Sequence, residues 1–194
     1  YDFVTFTGHK FHAPAGVGAI YSRRGYEAFA AYITGGTQEF GVRGGTHNIL
    51  GIVGMGAAAK ARRVSLAEAI EQMRSTRDLF EQKLMANLSG CKVNGNPDSR
   101  VANTANILFE DIDGKALYAQ LLDADVICSQ SSACTAQYPE PSKVLRAMGL
   151  TYHQAFSSIR FSFSAVNTLD EAEEAADVVI ERVKRIKNVL GGVW

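Results

Sequence analysis

The chain has 194 residues, 46% of them hydrophobic and 21% charged, a balance that excludes a disordered polymer and suits a folded chain of one domain or somewhat more. Twenty basic residues match twenty acidic ones, so no overall field calls for nucleic acid or an anionic membrane as partner. The longer apolar runs, such as residues 28–33, fall well short of the roughly 20 residues that cross a bilayer. Three cysteines with no close repeated spacing argue against a disulfide framework or a zinc site and fit a reducing compartment, by default the cytoplasm.

In chain order, Tyr1 opens directly into residues 2–7, which read as a buried strand; the chain is therefore expected to begin inside a fold and to be a piece of something longer. Residues 8–18 hold glycines and Pro14 and mark a shaped loop before a second strand at 19–22. Residues 35–46, with glycine at 35, 36, 41, 44 and 45, form another irregular loop suited to close approach. From 49 to 88 the spacing of Leu66, Ile70, Met73, Phe80, Leu84 and Leu88 predicts a long helix, with a break near Val64-Ser65.

Beyond that helix, strands are expected near Val93 and at 105–109, a helix at 114–122, a short strand at 125–128 and a polar loop at 129–140. Pro141 suits the first turn of a helix that Gly149 stops. Residues 158–164 alternate apolar and polar side chains as a strand, with Arg160 on the polar side. Thr168 and Glu171 form a capping-box pattern, and Ala172, Ala175, Val179, Val183, Ile186 and Leu190 give the last helix one apolar face.

Chemistry is concentrated at a few positions. Lys10 follows an apolar strand and stands beside Thr7, Gly8 and His9, a hydroxyl, imidazole and close-approach glycine suited to a phosphate-bearing cofactor; the simpler reading is a strand-end lysine in water. Cys134 lies in the polar loop and is either incidental or reactive, whereas Cys91 and Cys128 border apolar strand-like segments and read as core residues. Arg160 is either a surface arginine or a bidentate clamp for a carboxylate. Gly44-Gly45-Thr46 offers backbone N–H groups and a hydroxyl to phosphate. His12, His47 and His153 show no metal-ligand spacing and read as polar loop or cap residues; no metal site is expected.

Taken together, Thr7-Gly8-His9-Lys10, Gly35 to Glu39, Arg43 to Thr46, Ser132-Ala133-Cys134, Glu140-Pro141-Ser142 and Ser158 to Ser162 resemble, in order, the motifs of the NifS and IscS type cysteine desulfurases, class V aminotransferase-family enzymes that use pyridoxal 5'-phosphate (PLP). The resemblance implies an α/β fold: the C-terminal part of a fold type I PLP-dependent transferase, with a large-domain remnant and start of a connecting helix at 1–63 and a small α/β domain at 64–194. It implies that Lys10 anchors PLP and that Thr7, His9 and, from a second subunit of a homodimer, Thr46 hold its phosphate. Arg160 would bind the carboxylate of L-cysteine, and Cys134 would take its sulfur as a persulfide for an iron–sulfur scaffold or other acceptor protein. The groups that hold the PLP ring lie upstream of the lysine segment in that family, so the fragment is expected to bind PLP poorly and to be inactive alone. Two other readings stay open: a non-catalytic interaction or dimerisation module derived from such an enzyme, and a selenocysteine lyase.

Overall fold

The computed structural model describes residues 1–130 and 140–191. The chain forms two compact units, Tyr1–Ala67 and Glu68–Trp194.

In the first unit, β1 (Phe3–Thr7) and β2 (Gly18–Ser22) pair antiparallel from Phe3 opposite Ser22 to Thr7 opposite Gly18. The loop expected between them is partly a tight 3-10 turn, Gly8–Phe11. Gly8 is buried where it turns: its N–H donates to Val17 O (2.8 Å), and a Cβ there would stand only 2.9 Å from Ala13 Cβ. The expectation of a buried β1 is corrected, since Phe3, Val4 and Phe6 are exposed; a ribbon of two strands has too little surface to bury its own side chains.

Helix α1 spans Ile49–Asn87 without the predicted break. The Ser65 hydroxyl donates to Ala61 O (3.2 Å), one turn back, so the polar residue is satisfied inside the helix rather than ending it.

The second unit is built on an antiparallel sheet of β3 (Cys91–Val93), β4 (Thr104–Phe109) and β5 (Ser158–Ser162), with β4 central. Period-two alternation sends Ala105, Ile107, Phe109, Ile159 and Phe161 to one face. There they join Phe80 and Leu84 of α1, Leu88 just past its end, Leu117 and Leu121 of α2 (Gly114–Leu122), and Val179 and Val183 of α5 (Leu169–Gly191) in one apolar core. Helix α2 starts where Asp113 Oδ1 accepts from Lys115 N (2.8 Å) and Ala116 N (3.2 Å). Gly114 must lack a side chain, because a Cβ would run into Phe156 O and the Gln130 amide.

Helix α5 begins as its capping pattern predicts: Glu171 N donates to Thr168 Oγ1 (3.1 Å), and Thr168 N donates to Glu171 Oε2 (2.9 Å). That backbone hydrogen bond, with a second from the Asn167 amide, lowers the Glu171 pKa. Three expectations are corrected. The segment 125–128 is not a strand: Asp125 has φ 58, and Val126 N folds back to Leu121 O (2.9 Å), leaving sheet pairing to begin at Ser129. Pro141 lies before the helix rather than in its first turn, because Ser142 caps α3 (Lys143–Ala147). Strand β5 stops at Ser162, two residues early. Gly149 does end its helix, with φ 95 and Leu150 N returning to Leu145 O (3.1 Å). A further short helix, α4 (Tyr152–Phe156), starts at a Thr151/Gln154 capping box.

Candidate functional site

The turn after β1 brings together Thr7, His9 and Lys10. Thr7 Oγ1 lies 3.1 Å from His9 Nδ1 and 3.5 Å from Val17 O, so hydroxyl and imidazole share the mouth of the turn. Lys10 is exposed and makes no hydrogen bond or ion pair with any described residue, which leaves its amine free to condense with a carbonyl. A free lysine beside a hydroxyl and an imidazole fits the aldehyde and phosphate ends of PLP.

Thr46 lies in the same unit, in the loop that follows the 3-10 turn Glu39–Gly41. Glu39 and Phe40 both hold left-handed backbone, φ 51 and 60, a strained arrangement for residues with side chains. Two side chains fasten the loop across its base: Gly45 N donates to Gln38 Oε1 (3.2 Å), and His47 Nε2 meets Glu39 Oε1 at 3.1 Å. His47 is thus a hydrogen-bond partner of Glu39, more than the polar loop residue its sequence context suggests. Glu39, Phe40, Arg43 and His47 line a cleft of about 810 Å³ together with Ile20 and Tyr21; Thr7, His9, Lys10 and Thr46 are not among its lining residues.

Arg160 stands on the polar face of the sheet in the other unit. Its backbone is held from the outer side by Ser129, with Arg160 N donating to Ser129 O (2.7 Å) and Ser129 N to Arg160 O (2.9 Å). Its guanidinium is exposed and pairs with no described residue. Opposite it in register is Asn106, which the sequence reading passed over although it interrupts an apolar strand. Cys134 lies outside the described residues.

The remaining thiols behave as core groups. Cys91 and Cys128 pack against the apolar cluster, and burial pushes each thiol up to about 11. At pH 7.5 so little of either is thiolate that iodoacetamide should alkylate both roughly two orders of magnitude more slowly than an unperturbed cysteine. Peptide mapping over a time course checks this; rapid labelling of either residue in the folded chain would contradict its assignment to the core. Among the described residues no group of His, Cys, Asp and Glu forms a metal site, and no helix is long and apolar enough to cross a membrane.

The chain belongs to the aminotransferase class-V family, whose model matches residues 1–174. Within that family it is similar to cysteine desulfurases: 43% identical to one from Trichormus azollae, over 96% of this chain and 46% of that protein. The cysteine desulfurase NifS of Azotobacter vinelandii is 39% identical over the same shares of each chain. A solved NifS-like protein superposes with a TM-score of 0.82 at 31% identity, covering 94% of this chain and 46% of its own. The chain spans about half the length of the curated relatives it matches. Family membership implies PLP chemistry.

Proposed function

We propose that the chain is the C-terminal half of a PLP-dependent cysteine desulfurase that converts L-cysteine to L-alanine and leaves the sulfur as a persulfide on Cys134. The observation that carries this reading is the turn Thr7 to Lys10, where a free lysine stands beside a hydroxyl and an imidazole 3.1 Å apart. On this reading residues 1–63 belong to the PLP-binding large domain and 64–194 are the small domain. Lys10 anchors the cofactor, and Thr7 and His9 hold its phosphate, with Thr46 reaching the phosphate of a second subunit in a homodimer. When bound, PLP supplies an electron sink conjugated to the substrate's α-carbon.

Arg160 holds the substrate carboxylate and so fixes the direction in which the sulfur points. The Cys134 thiolate attacks that sulfur. An S–S bond forms as the Cβ–S bond breaks, and Cβ leaves with the electron pair and takes a proton, so no external oxidant is needed. The persulfide then passes to an acceptor such as an iron–sulfur scaffold protein in the cytoplasm.

Incubating PLP with a polypeptide that includes the chain and the rest of the length its relatives possess, then reducing with borohydride and mapping the peptides, tests the anchor. The pyridoxyl group should be found on Lys10 well above the other lysines, and Lys10→Ala should remove most of it. An even spread over the surface lysines would sink the assignment.

A further inference from the structure

On the polar face of the sheet a single row crosses four stretches of backbone: Asn94, Asn106, Arg160 and Ser129. Asn94 N donates to Asn106 O (2.8 Å), Asn106 stands opposite Arg160 in register, and Arg160 exchanges both backbone hydrogen bonds with Ser129. The backbone groups of Arg160 therefore point away from Asn106, which makes Asn106 and Arg160 a non-hydrogen-bonded pair. Their Cα atoms in such a pair approach to about 4.5 Å, and the two side chains rise side by side on one face.

The polarity of the Asn106 amide is forced from a backbone carbonyl. Gln154 O can only accept, so the buried Ser158 hydroxyl donates to it (2.7 Å). Ser158 Oγ then accepts from Asn94 Nδ2 (3.0 Å), and the same NH₂ donates to Asn106 Oδ1 (2.7 Å). With its oxygen committed to Asn94, Asn106 turns its NH₂ toward the Arg160 side, where that NH₂ has no described acceptor. Strands β3, β4 and β5 contain two basic residues, Lys92 and Arg160, and no acid. The Asn106 NH₂ and the Arg160 guanidinium are thus neighbouring donors on a face whose three strands supply no carboxylate.

We propose that Asn106 is a second substrate-binding residue, whose NH₂ donates to the same carboxylate that Arg160 grips, with Asn94 and Ser158 acting through it as positioning residues. This rests on the reading of Arg160 as the carboxylate clamp and extends it. One guanidinium on an exposed strand can meet a carboxylate from several directions; a fixed amide donor beside it selects one, and with it the orientation of the amino acid's side chain.

The test is an NMR titration of the whole chain with L-alanine, which carries the carboxylate, and with ethylamine, which does not. L-Alanine should shift the Asn106 side-chain NH₂ and Arg160 Nε–H signals together along one binding curve, and ethylamine should shift neither. Asn106→Ala should weaken L-alanine binding roughly tenfold, the worth of one hydrogen bond to a charged group. Asn106→Asp should weaken it further, because a carboxylate beside Arg160 competes for the guanidinium. The titration of the unaltered chain guards against a variant that misfolds. If Arg160→Gln abolishes binding while the Asn106 NH₂ stays unmoved and Asn106→Ala binds normally, the assignment of Asn106 is wrong and that of Arg160 stands. If Arg160→Gln binds L-alanine as well as the unaltered chain, the clamp itself is misassigned and the inference falls with it.

Discussion

Replacing Cys134 by serine should lower sulfur transfer from L-cysteine by about a thousandfold in a polypeptide that includes the chain and the upstream half its relatives possess. Only a thiolate can take the sulfur, and the size of the loss depends on whether another cysteine can substitute. The chain has three cysteines. Cys91 and Cys128 are held in the sheet's apolar surroundings with thiols pushed up to about 11, so at pH 7.5 each is thiolate less than about a thousandth of the time. Even an approach by either one would leave a rate near that fraction. Mass spectrometry after a burst of L-cysteine should find one persulfide, on the Cys134 peptide, and none in Cys134→Ser. A Cys134→Ser protein that keeps a tenth of the activity would refute the role. The matching control is Cys91→Ala with Cys128→Ala, which should leave persulfide formation in place.

The elements whose cause is local were legible in the sequence. Helix α5 follows from Thr168, Glu171 and its apolar stripe, and α1 from its spacing of Leu, Ile, Met and Phe; both are present, α1 without the break expected near Val64-Ser65. Elements whose cause lies elsewhere in the chain were not. Helix α4 has five residues, too few for periodicity to register, and its one signal was the Thr151/Gln154 pair. Segment 125–128 has a strand's composition, but the left-handed Asp125 and the return of Val126 to α2 take its backbone away from the ladder. At the candidate site the same division holds. Lys10 and its neighbours are adjacent in sequence and were readable together. Asn94, Asn106 and Ser158 are separated by up to 64 positions, and only strand register makes them one network. On that face only Arg160 was legible, without the residues that register sets beside it.

Replacing Glu81 by alanine should destabilise the second unit by about 3–5 kcal/mol, the usual result of stranding one member of a buried ion pair. Glu81 projects from α1 and is only 6% exposed. Arg100 meets it with both ends of the guanidinium, Nη1 to Oε1 and Nη2 to Oε2, each at 2.6 Å. Hydrogen bonding to Glu81 raises the Arg100 pKa, so the charge stays when its partner is removed. Nor does Arg100 have a ready alternative: its Nε is buried without a partner among the described residues, and Asp78, 3.9 Å away, is engaged by Arg77 at 2.6 Å. Arg77, itself buried, also donates to Val101 O (3.0 Å) and Ala102 O (3.2 Å), so the two arginines together tie the approach to β4 onto α1. That approach leads into β4, on which Asn106 stands opposite Arg160. Urea unfolding followed through β4 and β5 amide signals measures the loss. Pairing Glu81→Ala with Arg100→Met should recover all but about 1 kcal/mol, because an apolar stem in the same place leaves no charge to solvate. Severing the exposed Arg74–Glu71 pair should cost no more than about 0.5 kcal/mol. Equal losses from the two pairs would mean that Glu81 is as well hydrated as a surface residue, and that something other than the Arg100 fork holds the chain against α1 on its way into β4.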